Sequence, residues 1–134
     1  MTQHLKACCF CLFCLVFLAS CRFTNTDFER TVTNAGATFA AGAVTLQYVH
    51  QGKLPLPYAR STFEQLVGTI AGTDQQLATL EGAPPLAQIK PLLASFRPAF
   101  QALKQPCLTN TCNWQTQYQS LQTASRLFQE AGKS

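Results

Sequence analysis

Residues 26–50 read TDFERTVTNAGATFAAGAVTLQYVH, and this stretch decides the fold. Phe28, Val32, Ala35, Phe39, Gly42, Leu46 and Val49 recur at alternating spacings of four and three. That spacing gathers them on one face of a helix, in the seam pattern that packs helices nearly parallel or antiparallel. The ends agree. Thr26-Asp-Phe-Glu29 fits a capping box, and Gly52 followed by Leu54 and Pro55 fits a Schellman-type stop.

Three further segments carry the same seam. The second reads Ala59, Phe63, Leu66, Ile70, Thr73, Leu77, Leu80. The third reads Leu86, Ile89, Leu93, Phe96, Phe100, Leu103, and the fourth Trp114, Tyr118, Leu121, Ser125, Phe128. Ser61-Thr-Phe-Glu64 is another capping box, so the second helix is expected to begin there or a turn earlier at Pro57, and to stop at Gly82. Pro84-Pro85 opens the third helix and Pro106 ends it. Asn113 is an N-cap for the fourth, with Gly132 at its end. Short connections make successive helices run antiparallel. The expected fold class is all-α: an antiparallel up-down four-helix bundle over residues 26–134.

Pro91 and Pro98 lie seven residues apart inside the third helix. In the register that starts at Leu86 both face away from the core. The carbonyls they leave unpaired, at Ala87 and Ala94, then face water. Each ring bends the helix, either around the core or so as to open a groove beside it. Gly36, Ala37, Ala40, Ala41, Gly42 and Ala43 allow a close helix neighbour or a slot for a partner helix. The internal role is expected, with Gly42 turned inward opposite a large Phe.

The chain begins with a different kind of segment. Lys6 stands in an otherwise uncharged start, and Ala7 to Ser20 is apolar apart from cysteines and the final serine. Roughly 17–25 apolar residues are needed to span a bilayer, so this stretch is short for that role. Leu18-Ala19-Ser20-Cys21 closes it with an apolar residue, two small ones and a cysteine. All four positions match the lipobox, and residues 1–21 resemble the signal peptide and lipidation site of bacterial lipoproteins. The resemblance implies removal of residues 1–20, a lipid on Cys21 and a short tether over 21–25. Arg22, where an Asp commonly means inner-membrane retention, implies the outer membrane with the domain facing the periplasm. Competing readings are secretory cleavage without lipid, opposed by the bulky Leu18, and an uncleaved palmitoylated anchor through Cys8, Cys9, Cys11 or Cys14. A chance match is the third.

Without Lys6, nine Lys and Arg face six Asp and Glu, a net of +3. The charge is spread out, with no basic stripe or basic–aromatic interleaving, so nucleic acid is not an expected partner. After Cys21, the remaining cysteines are Cys107 and Cys112. In an exported chain this pair reads as a disulfide clasping the loop between the third and fourth helices. Closing so short a loop contributes about 2 kcal/mol. Four intervening residues do not make a CxxC redox site, and no His stands nearby in sequence for a metal.

Reaction chemistry is not visible. His50, the one histidine of the mature chain, falls at a helix end where a cation suits the dipole. No C-x-x-C-H, paired Glu-x-x-His, G-x-S-x-G or phosphate-cradling glycine loop occurs. A non-enzymatic protein without metal or cofactor is expected. Gly52-Lys-Leu-Pro-Leu-Pro57, with Leu54 and Leu56 and flanked by Tyr48 and Tyr58, is apolar for a loop, either packing over the bundle end or presenting a docking edge. Trp114 is a second candidate anchor, weighed against core packing.

Size, lipid, helices and disulfide together are similar to secretin pilotins, small helical lipoproteins that escort pore subunits to the outer membrane. The expectation is a lipid-anchored envelope protein whose bundle binds another envelope protein in an accessory, chaperone or pilotin-like role. The alternatives are a protective lipoprotein against phage, toxin or cell-wall enzyme, and a carrier of a small apolar ligand between Phe39, Phe63, Phe96 and Phe100.

Overall fold

The computed structural model describes residues 26–133. The expected export segment, lipidation at Cys21 and 21–25 tether lie outside the described residues. The described residues are all helical, without strands: α1 (Asp27–His50), α2 (Leu56–Ile70), a single turn α3 (Thr73–Gln76), α4 (Leu86–Lys104) and α5 (Trp114–Lys133). No helix among them is long and apolar enough to cross a membrane.

α1 starts and stops where its sequence directs. Thr26 Oγ1 accepts the Glu29 N–H at 3.2 Å, a side-chain cap on an otherwise orphaned donor. At the other end Gly52 adopts φ +70°, Gly52 N–H donates to the Val49 carbonyl and Lys53 N–H to the Tyr48 carbonyl. These are the two bonds of a Schellman stop. Phe28, Val32, Ala35, Phe39 and Leu46 are buried as the seam requires.

α1 packs most extensively against α5, and also against α2; α4 packs against α5 and α2. Glycines bring α1 and α5 together. A Cβ on Gly36 would lie 3.1 Å from the Ser125 carbonyl oxygen, and one on Gly132 would lie 2.5 Å from Thr33 Oγ1. Low α1 numbers meet high α5 numbers, so this pair is antiparallel. Gly132 does not end α5, which runs on to Lys133. It is instead the point of closest approach to the first turns of α1. Gly42 faces Leu103 and Leu121 rather than a Phe. Of the small residues of α1, Gly36, Gly42 and Ala43 are buried, while Ala37 and Ala41 face solvent.

The second segment is not one helix. α2 begins at Leu56, with Pro57 in its first turn, so Ser61 to Glu64 lie inside the helix and not at its start. It ends at Ile70, because Ala71 turns to ψ 128° and Gly72 takes φ +82°. The chain then folds through α3 and a series of turns. Thr73 and Leu77 are nonetheless buried, so the seam survives the break in the helix. The connection closes one end of the molecule: Phe28 N–H donates to the Glu81 carbonyl at 2.9 Å, and Gly82, at φ +81°, lies against the Thr26 side chain.

The seam of α4 also differs from its expected register. Ile89, Leu92, Phe96, Ala99 and Leu103 are buried, Leu93 and Phe100 are half-buried, and Leu86 is 56% exposed. Ile89, Phe96 and Leu103 belong to both registers; the residues between them switch sides. Pro91 and Pro98 still face solvent. The Phe39 ring meets Phe96 and Phe128 edge-on, each at 5.6 Å, and Phe96 stacks on Phe100 at 5.3 Å. Edge and offset contacts of this kind suit the ring quadrupoles. The rings considered for a cavity wall thus include three, Phe39, Phe96 and Phe100, that are joined by direct contact.

Candidate partner-binding end

The end of the molecule at which α1 stops is built from two connections. The first is the apolar turn into α2. Its Schellman stop reverses the chain at Gly52, and Pro55 and Pro57 stiffen the entry to α2. Leu54 is half-buried, so it packs partly over the end of the helices. Leu56 and Tyr58 are exposed, Tyr58 at 68%. Tyr48, on the last turn of α1, is exposed too, with Lys53 Nζ 5.7 Å from its ring centroid. Leu56 and Tyr58 thus stand on the first turn of α2 rather than in the loop before it, and with Tyr48 they present large apolar and aromatic groups that supply contact area to a partner.

The second connection, between Lys104 and Trp114, carries the disulfide Cys107–Cys112. It is fastened on both sides. Buried Cys107 donates its N–H to Gln117 Oε1 at 2.7 Å, and Gln117 Nε2 returns a bond to the Gln105 carbonyl at 3.0 Å. The Cys107 carbonyl lies 2.7 Å from His50 Nε2. A carbonyl only accepts, so Nε2 carries the proton in this bond. The His50 ring lies flat on Trp114, with centroids 4.5 Å apart and planes 8° apart. Trp114 in turn meets Tyr118 edge-on at 6.0 Å. Asn113 caps α5 by accepting the Thr116 N–H at 3.2 Å.

Trp114 is half-buried at the start of α5, held against His50 of α1. Leu56 and Tyr58 form the exposed part of the predicted set. Cys107 and Cys112 are joined, and Cys21 lies outside the described residues. His50 and Gln117 were missed as structural keys. They act on a residue 57 and 10 positions away, respectively, and no local motif announces either contact.

Open grooves flank the helices, among them two of larger volume. One, of about 590 Å³, runs between α1 and α5, with Ala40, Ala43 and Val44 against Tyr118 and Arg126. The other, of about 400 Å³, lies between α2 and α4 near the clasp. No group of three or more His, Cys, Asp and Glu side chains among the described residues is placed to hold a metal ion. Comparison with protein-family models, with curated proteins and with solved structures finds no match to this chain.

Proposed function

We propose that the protein is a non-enzymatic lipoprotein of the bacterial cell envelope, anchored through Cys21 in the outer membrane and facing the periplasm. Its four long helices are read as an up-down bundle that binds another envelope protein in an accessory or chaperone-like role. The observation that carries the binding reading is the pairing, at one end, of exposed Leu56 and Tyr58 with a disulfide clasp fastened from two helices. A rigid scaffold under exposed apolar groups lowers the entropy lost when a partner docks. The tether enters at Thr26, and 24 residues of α1 separate that point from the clasp end, about 36 Å at helical rise. This geometry would hold the docking end away from the bilayer. Contacts among Phe39, Phe96, Phe100 and Phe128 favour a surface function over carriage of an apolar ligand in the core.

The test is in cells. Wild type should incorporate a fatty-acid label and sediment with membranes, and Cys21→Ala should do neither. Continued sedimentation of an unlabelled wild type would overturn the anchor. Crosslinking of the tagged wild type should capture one dominant envelope protein. Leu56→Ser/Tyr58→Ser should lose that capture while melting within the ±0.5 kcal/mol typical of surface changes. An undiminished capture would remove this end from the docking surface. A captured protein encoded by a phage or a rival cell would replace the accessory role with a protective one.

A further inference from the structure

Charge divides unevenly between the two ends. Of the six acids, five lie toward the Thr26 end: Asp27 and Glu29 in α1, Asp74 and Glu81 in the 71–85 connection, and Glu130 in α5. Arg30 pairs with Asp27 and Arg126 with Glu130, and Lys90 and Lys133 offset most of the rest. The clasp end instead carries Lys53, Arg60 and Lys104 against Glu64 alone. None of these three cations has an ion-pair partner among the described residues. Lys53 and Lys104 rest over the rings of Tyr48 and Phe100.

Arg60, Glu64 and Lys104 rim the 400 Å³ groove between α2 and α4. Its accessible floor is apolar, formed by half-buried Val67 and Pro106 above the buried Phe63 and Leu103. The groove thus offers a concave apolar bed with a net positive rim, next to exposed Leu56 and Tyr58 on the first turn of α2.

We propose that this groove binds a peptide segment of the partner protein in which an apolar side chain is flanked by acidic ones. The proposal rests on the partner-binding reading and adds the partner's chemistry. The apolar side chain rests on Val67 and Pro106. The flanking carboxylates meet Arg60, whose planar fork donates two parallel bonds to a carboxylate, and Lys104 as a point charge. Glu64 repels an acid placed on its own side, so it fixes which way the segment lies. Charges on a groove rim act mainly on encounter rate and partner choice, with the apolar floor holding what arrives. A flat anionic bilayer could reach the two cations but not a floor set between two helices.

The probe is a fluorescein-labelled peptide with a central Phe and two Asp on each side, against its counterpart with Lys in place of Asp. Both are titrated into the full chain in detergent micelles and followed by anisotropy. The acidic peptide should bind at least tenfold more tightly than the basic one, and the gap should narrow as salt rises. Arg60→Glu/Lys104→Glu should reverse the preference without changing the melting temperature by more than a degree or two. Equal binding of the two peptides overturns the proposal, as does failure of the acidic peptide to bind at millimolar concentration or an unreversed preference in the variant. Binding to phosphatidylglycerol vesicles without peptide discrimination overturns it in favour of a membrane surface. In cells, a partner still captured by Arg60→Glu/Lys104→Glu overturns the groove and leaves the partner-binding reading standing. The absence of any captured partner defeats that reading itself.

Discussion

Replacing Gly42 by alanine tests how tightly α1 is seated. The new Cβ would lie 2.5 Å from Leu103 Cδ2 and 3.4 Å from Leu121 Cδ2. Carbon atoms settle at about 3.5–4.0 Å, so Leu103 must retreat by roughly 1 Å. Leu103 is only 1% exposed, and its retreat displaces packed neighbours. Overpacking of this kind costs about 1–3 kcal/mol. Alanine returns up to about 1 kcal/mol in helix propensity, which leaves a net loss on the order of 1 kcal/mol. Gly68 supplies the control. It lies inside α2, is exposed, and a Cβ there meets nothing within 4 Å. Gly68→Ala should therefore gain roughly 0.5–1 kcal/mol from propensity alone. Thermal melts followed by circular dichroism should place Gly42→Ala below wild type and Gly68→Ala above it, separated by several degrees (about 4 °C or more per kcal/mol for a domain of this size). In Gly42→Ala/Leu103→Ala the overlap is gone, so the two changes should couple by at least about 0.5 kcal/mol. A Gly42→Ala protein that melts at or above Gly68→Ala, with additive behaviour in the double variant, would refute the seating of α1 on Leu103.

The clasp is open to direct measurement. Cys107→Ser/Cys112→Ser should lower the free energy of unfolding by about 2 kcal/mol in urea titration, and reductant should then have no further effect. A wild type that melts identically with and without reductant would contradict this. Gln117→Ala leaves the buried Cys107 N–H without its acceptor and should cost about 1–3 kcal/mol. Gln117→Glu keeps that acceptor and should lose less; equal losses would show that the amide contact to the Gln105 carbonyl matters more.

Helix α1 was legible because its seam, cap and stop all point the same way, and α5 because its seam and N-cap agree. Thr26, Gly52 and Asn113 each make the terminal bond their residue type suggests. The second segment shows what a seam does not report. Leu66, Ile70, Thr73 and Leu77 keep the spacing of a helix across Gly72, and each packs inward to some degree, yet the backbone breaks there. Periodicity records burial, and a left-handed glycine within it is visible only as one residue type among others. In α4 neighbouring apolar residues at 92 and 93, and at 99 and 100, allow two registers. The choice between them is made by the volumes of facing helices. Candidate site residues fared by the same logic. Leu56 and Tyr58 stood out because an apolar loop is locally anomalous. His50 and Gln117 act through contacts made by tertiary packing, and a sequence rich in glutamine gives no sign of which one is buried in a bond.

The extensive packing of α1 on α5 pairs the first of the described helices with the last. No nascent chain shorter than the full domain can complete that interface, so folding waits until residues near Gly132 are available to meet Thr33. With Gly132 beside Glu29 and Thr33, the same pairing leaves residues 26 and 133 at one end of the molecule. A short peptide joining them, with new termini cut in an exposed turn, should preserve the fold and release its order of assembly from the order of translation.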